Sequence, residues 1–221
     1  MSWSTSGRES GFPDAATVPV VRLQGLLNDA RKWTAIGFPI RLSDGEVAIV
    51  TAQHVLEDIE TCEVAHIATS KFSDDLTIFV SVGSWVRHPS LDVAYTVVDG
   101  QFEQHYAVWH RDHWWSDPTE DGSDGDPTIC QIVSVPAAAA GPKAILESGA
   151  VGTVWNFEDF GDAEFLVDLQ AQRGSSGSPM FVHLDGVWRF AGIVTAAADN
   201  ANGYQESVVL RAGEVLKFLK P

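Results

Sequence analysis

Two cysteines in 221 residues, Cys62 and Cys130, are all the thiol chemistry this sequence carries. They lie far apart, with no CxxC and no histidine-paired spacing, so neither a disulfide framework nor a zinc site is indicated. Both are expected as reduced, buried thiols. Cationic side chains are scarce too: 14 Lys and Arg against 30 Asp and Glu leave a formal net charge of -16. No Lys/Arg cluster offers a patch for a polyphosphate, which argues against nucleic acid as a partner. Long apolar runs are also lacking. None approaches the roughly 20 residues that a membrane helix needs, and the opening MSWSTSGRESGFPDAAT lacks the basic-then-apolar layout of a secretory leader. The expectation is a cytoplasmic chain with no membrane association. No internal repeat of fixed period is visible.

What the sequence does have is a series of short strands. VPVVRL, IGFPIRL, EVAIVTA, LTIFVSV and DVAYTVV, and later TICQIVSV, GAVGTVW, EFLVDLQ, GVWRFAGIV and ESVVL, are brief Val/Ile/Phe-rich runs separated by Gly, Asp, Asn or Pro. This is the pattern of an all-β sandwich or barrel. Apolar residues recur at helical three- and four-residue steps only in QGLLNDARKW and in GEVLKFLK at the end, where peripheral helices are expected. Residues 1-16 read as a mobile tail. The acidic stretch SDPTEDGSDGDP, 116-127, reads as a linker between an N-terminal β unit, 17-115, and a C-terminal one, 128-221 with the terminal helix. Its spaced aspartates resemble a calcium loop, but a loop opening at Asp117 has Thr128 where the bidentate Glu is needed. A solvated acidic linker is the better account.

QRGSSGSPMF, residues 172-181, combines glycines with a run of serines before an apolar segment. Gly174 and Gly177 permit a tight turn whose backbone N–H groups point inward as an anion-binding nest around Ser176. Alone, the motif is also what an ordinary hydrogen-bonding loop looks like. Hydrolysis by a serine further needs a base and a group to orient that base. His54 follows the run Val47 to Val50 directly, where a strand end faces a cleft. Asp92 opens the apolar run DVAYTVV, where a carboxylate is costly to bury without a donor, and an imidazole is such a donor. The chain order His54, Asp92, Ser176 matches the chymotrypsin arrangement, not the Asp-His-Ser or Ser-Asp-His orders found on other folds.

On these residues the chain resembles the trypsin-like, chymotrypsin-fold serine peptidases, from about Trp33 to Leu219. TAQHV, 51-55, is similar to the family's TAAHC; His88-Pro89 with Asp92-Val93-Ala94 to its HP...DIAL; GSSGSP, 174-179, to GDSGGP; and GIVT, 192-195, to GIVS. The resemblance implies two packed six-stranded antiparallel β-barrels and a C-terminal helix. It implies Ser176 as nucleophile, His54 as general base and then acid, Asp92 as its orienter, and the backbone N–H groups of Gly174 and Ser176 as oxyanion hole. Gln170 would lie near the base of the primary pocket, with Thr195, Ala196 and Ala197 along one wall. A protein or peptide substrate follows, with no metal and no organic cofactor.

The departures carry information of their own. Secreted members have an Asp before the serine, which pairs with a freed N-terminus; Ser175 has no charge for that, so activation by N-terminal cleavage is not expected. Val55 replaces a disulfide cysteine, and Ser178 fills a glycine's place. Gln170 supplies no charge for Arg or Lys, so a neutral or polar P1 side chain is expected. A small acidic peptidase of this kind also resembles the protease modules of bacterial stress or defence systems. Two other readings use the same fold: a catalytically silent binding module, and a regulatory module whose cleft a partner protein opens. Trp109, Trp114 and Trp115, interleaved with His110 and His113, invite a metal reading, but a third ligand is lacking, and aromatic filling between the two units is the simpler expectation.

Overall fold

Val, Ile and Phe alternating with smaller or polar residues build two β-sheets in this chain. The computed structural model describes residues 20-65, 77-98, 102, 108-110, 128-134, 145-151, 163-167, 174-184, 187-199 and 205-219. The tail 1-16, the acidic stretch 116-127, Gln170, and the group His113, Trp114 and Trp115 lie outside the described residues. The first sheet contains β1 (Val21–Leu26), β2 (Lys32–Arg41), β3 (Val47–Thr51), β4 (Cys62–Ala65), β5 (Thr77–Val80), β6 (Val86–Arg87), β7 (Ala94–Val98) and β8 (Trp109–His110). Its order is β5-β4-β1-β2-β3-β7-β6, with β8 joined in parallel to β2. The second sheet contains β9 (Thr128–Ser134), β10 (Ile145–Val151), β11 (Glu164–Val167), β12 (Pro179–Leu184), β13 (Val187–Asp199) and β14 (Gln205–Arg211). Its order is β10-β9-β12-β13-β14-β11, and α1 (Ala212–Phe218) follows it.

Two expectations need correction. Among the described residues the first sheet has eight strands rather than six, and neither sheet closes edge to edge into a barrel. QGLLNDARKW is a β-hairpin, not a helix: Gln24 pairs with Thr34, Gly25 with Trp33 and Leu26 with Lys32. The reason is local turn chemistry. The Leu27 N–H donates to the Arg31 carbonyl at 2.8 Å, Ala30 takes a left-handed φ of 64°, and Asp29 Oδ1 accepts the Arg31 N–H at 3.1 Å. Side chains such as Asn and Asp that bond nearby backbone outcompete a weak helical spacing.

The two-residue alternation of each strand sorts the apolar side chains into three cores. Val47 and Ile49 of β3 point into the first sheet's own core with Leu23, Leu56 and Trp85, while Ala48 and Val50 point toward the second sheet. Phe165, Val167, Met180, Val182 and Val209 fill the second sheet's own core. The middle core holds residues from both sheets and from α1: Ile36, Phe38, Tyr95, Trp109, Phe181, Phe190, Ile193, Leu210, Val215 and Leu216 among them. Phe38 and Phe190 lie 4.8 Å apart between ring centroids, and Trp109 lies 5.4 Å from Phe190. Trp109 is therefore core filling between the sheets. Such aromatic pairs contribute about 0.5–1.5 kcal/mol each beyond their buried area. Cys62 is buried and forms no disulfide among the described residues. No described helix is long and apolar enough to cross a membrane.

Because Phe190 touches partners from both sheets, Phe190→Ala should lower unfolding free energy by about 3–5 kcal/mol. Val97, 42% exposed on β7, should cost less than about 0.5 kcal/mol on truncation to Ala. Denaturant unfolding of both variants checks this, and equal losses would contradict the placement of the shared core.

Candidate active site

Ser176 stands on a tight loop, residues 174-178, that leads into β12. Gly174 and Gly177 hold left-handed φ values of 98° and 85°, which side-chain-bearing residues rarely adopt. Gly177 has a second reason to be glycine: a Cβ there would run into the Ile36 carbonyl and the Thr51 hydroxyl of the first sheet. The loop is tied on both sides. Gly177 N–H donates to the Val194 carbonyl at 2.8 Å, Val194 N–H to the Ser178 carbonyl at 2.9 Å, and Ile36 N–H to the Ser176 carbonyl at 3.3 Å. Thr51 Oγ1 donates to the Ile36 carbonyl at 2.7 Å, so the β2 edge that receives Ser176 is braced from β3. Among the described residues, neither the Gly174 nor the Ser176 N–H donates to a backbone carbonyl.

His54 lies in a single 3₁₀ turn, Gln53–Leu56, immediately after β3. Asp92 ends the short loop before β7. The structure brings both to Ser176: His54 Nε2 is 3.0 Å from Ser176 Oγ, and His54 Nδ1 is 2.6 Å from Asp92 Oδ2. The other carboxylate oxygen, Oδ1, accepts the His54 backbone N–H at 2.8 Å, so Asp92 grips both the ring and the backbone of the histidine. This hydrogen bond lifts the His54 imidazole above its ordinary pKa; partial burial opposes the shift, and the charges of Asp92 and Glu57 assist it.

His88, read from sequence only as part of HP...D, shapes the loop that carries Asp92. Its Nδ1 accepts the backbone N–H groups of Ser90 at 3.2 Å and Leu91 at 2.9 Å, and its ring meets Phe218 of α1 edge-on at 4.9 Å. The terminal helix thus presses on the loop that presents the carboxylate. Ser175 is buried, and its hydroxyl has no partner among the described residues.

Thr195 follows Val194 on β13, where the register with β14 shifts, and is itself buried, while Ala196 and Ala197 are exposed. Val194, next to Thr195, is hydrogen-bonded to the Ser176 loop, which sets this stretch of β13 beside that loop. One side chain there went unread. Glu164, at the start of β11, reaches across β14 so that its Oε1 accepts from Thr195 Oγ1 at 3.3 Å. EFLVDLQ reads as a strand, yet a carboxylate opening an apolar strand is the same signal that singled out Asp92. Burial is the main cause raising the Glu164 carboxyl pKa; the Thr195 hydrogen bond opposes it, and the charge of Asp92 adds to it. Among the described residues no cluster of three or more His, Cys, Asp or Glu is arranged to hold a metal ion.

No family profile and no curated protein sequence matches this chain. Solved structures do. A catalytically inactive tobacco etch virus protease complexed with substrate aligns with a TM-score of 0.60 and 12% identity, over 93% of this chain and 83% of its own. A thermostable serine protease, AL20, from an extremophilic microorganism aligns with a TM-score of 0.61 and 12% identity, over 90% of this chain and 93% of its own. At such identity the likeness is one of fold: mostly β, two sheets and a C-terminal helix, chymotrypsin-like.

Since folding raises the His54 pKa, its contribution to stability is present below the imidazole's ordinary pKa and is lost as pH rises through the folded value. An NMR titration of the ring should give a midpoint above the ordinary histidine value. Asp92→Asn should move it down, because the hydrogen bond to a carboxylate and the charge of Asp92 are lost while the opposing burial remains. A midpoint unmoved by Asp92→Asn would mean that the pair does not form in solution.

Proposed function

We propose that the chain is a serine endopeptidase that cleaves peptide bonds through an acyl-enzyme on Ser176. The observation carrying this reading is the continuous line Asp92–His54–Ser176, with contacts of 2.6 and 3.0 Å between residues 38 and 122 positions apart. In this reading Ser176 Oγ attacks the substrate carbonyl carbon while His54 Nε2 takes the hydroxyl proton. Asp92 holds Nδ1–H, fixes the tautomer that leaves Nε2 free to accept, and stabilises the imidazolium that forms. His54 then passes the proton to the leaving amine. A water molecule repeats the sequence to release the acid and restore Ser176.

The developing oxyanion would lie against the Gly174 and Ser176 N–H groups, neither of which is committed to a described carbonyl. A single such donor typically supplies about 3 kcal/mol of transition-state stabilisation. The left-handed φ of Gly174 aims its amide, so a side chain there would cost rate more than stability. A neutral or polar P1 residue is the favoured substrate class. Ser175, uncharged and buried, offers no partner for a liberated N-terminal amine, so the enzyme in this reading is not switched on by N-terminal cleavage. Cys62, buried and in no disulfide among the described residues, supports a reducing, cytoplasmic setting.

A silent module of the same fold has no physical need to keep a serine, an imidazole and a carboxylate in line, and the alignment of the three favours the enzyme. Ser176→Ala should abolish covalent labelling by a fluorophosphonate probe, and Asp92→Asn should lower kcat/KM by about 10⁴-fold. Activity should rise with pH as His54 loses its proton, with the midpoint above the ordinary histidine value. A wild-type chain that never labels, with or without a cellular extract, would sink the peptidase reading in favour of a scaffold. Labelling only with extract would identify a partner-opened cleft. A strong Arg or Lys preference in a P1-randomised library would refute the neutral pocket.

A further inference from the structure

Glu164 is a carboxylate in an unusual position. Phe165 and Val167 of β11 point into the second sheet's own core, so Glu164 points to the other side, toward the first sheet. There it meets Thr195 across β14 and lies close enough to Asp92 to feel its charge. It is half-buried, and among the described residues no cation stands within ion-pair distance of its carboxylate. The guanidinium of Arg211, the buried cation nearest in sequence register, is turned elsewhere. Its NH2 donates to the Glu164 backbone carbonyl at 3.4 Å and its charge lies 5.5 Å from the centre of the Phe165 ring.

The hydroxyl that does reach the carboxylate is shared. Thr195 Oγ1 has one proton and two acceptors at equal distance, Glu164 Oε1 and the Val208 carbonyl, both at 3.3 Å. Glu164 is thus partly desolvated, repelled by Asp92 and incompletely bonded, a costly state for a negative charge. A cation brought by a ligand would relieve all three deficits at once. Access exists beside it: Ala196 and Ala197, exposed and small, continue β13 beyond Val194, which is hydrogen-bonded to the Ser176 loop.

From this arrangement we infer that Glu164 is a specificity-determining residue, which selects a Lys or Arg side chain in the part of a peptide substrate that runs along Thr195–Ala197, outside the P1 position. The inference rests on the peptidase reading for its direction, since a peptide crossing Ser176 is what brings a side chain to this strand. It is compatible with a neutral P1 pocket, because the charge is read at a neighbouring position. The net charge of -16 draws cationic peptides toward the molecule, but that long-range pull is non-directional and screened by salt. Glu164 would turn it into a preference at one position.

The test uses binding, so that it does not depend on turnover. In the full-length Ser176→Ala protein at pH 8, dissociation constants are measured for peptides with a neutral P1 that carry Lys, Gln or Glu at each flanking position in turn. At one position Lys should bind about tenfold tighter than Gln, the scale of a charge-assisted hydrogen bond, with Glu weaker still. Adding Glu164→Gln should bring the Lys-to-Gln ratio there to near one. Adding Glu164→Lys should reverse the order in favour of Glu, which gives an independent reading if the first variant folds poorly. A ratio near one at every position, a preference that survives both substitutions, or no peptide binding at all would overturn the inference. Failure of the peptidase reading shows itself separately, as a wild-type Ser176 that does not label.

Discussion

The docking of the Ser176–Gly177 backbone onto Ile36 and Thr51 is the contact on which the candidate site depends. Ser176 belongs to the second sheet and His54 to the first, so the 3.0 Å between them is set by how closely the two sheets approach at this point. Ile36 N–H holds the Ser176 carbonyl, Thr51 Oγ1 holds the Ile36 carbonyl, and Gly177 leaves no Cβ to push them apart. Thr51 stands three residues before His54. The brace that receives Ser176 and the strand that presents His54 are therefore one piece of backbone. The middle aromatic core of Phe38, Trp109, Phe181 and Phe190 supplies the apolar burial that keeps the sheets at this distance.

Hydrogen bonding then distinguishes two carboxylates. Asp92 has two donors, the ring and the backbone of His54, and spends both oxygens on them. Glu164 has half a hydroxyl and no cation among the described residues. The two environments differ accordingly: His54 saturates one carboxylate, and the other keeps unfilled hydrogen-bonding capacity. His88 and Phe218 add a mechanical link, since the helix at the end of the chain presses on the loop that carries Asp92.

Much of the site was legible from residues alone. His54 after an apolar run, Asp92 opening another, and a serine between two glycines are local signals, and each reflects a local cost: a carboxylate needs a donor, and a left-handed turn needs glycine. Glu164 sends the same signal as Asp92, but EFLVDLQ carries no neighbouring motif that sets it apart from an ordinary strand. In the hairpin of Val21–Leu26 and Lys32–Arg41 the helical spacing of Leu and Ala yields to the Asn28-Asp29 turn. The roles of Thr51, Ile36 and His88 had no local signature at all. Each acts through a partner 2 to 140 positions away, or through a main-chain carbonyl that every residue possesses.

The order of chemical groups along the chain, the strand-rich class, the terminal helix and the glycine turn around Ser176 were determined by the sequence, because they follow from alternation, backbone freedom and the need of buried charges for partners. The eight-stranded first sheet, the parallel addition of β8 to β2, the meeting of residues 54, 92 and 176 and the reach of Glu164 across β14 were decided only in three dimensions. These depend on which strand edges pair and how two sheets pack. Such pairing is settled by the sum of many long-range contacts, and no short stretch of residues contains that sum.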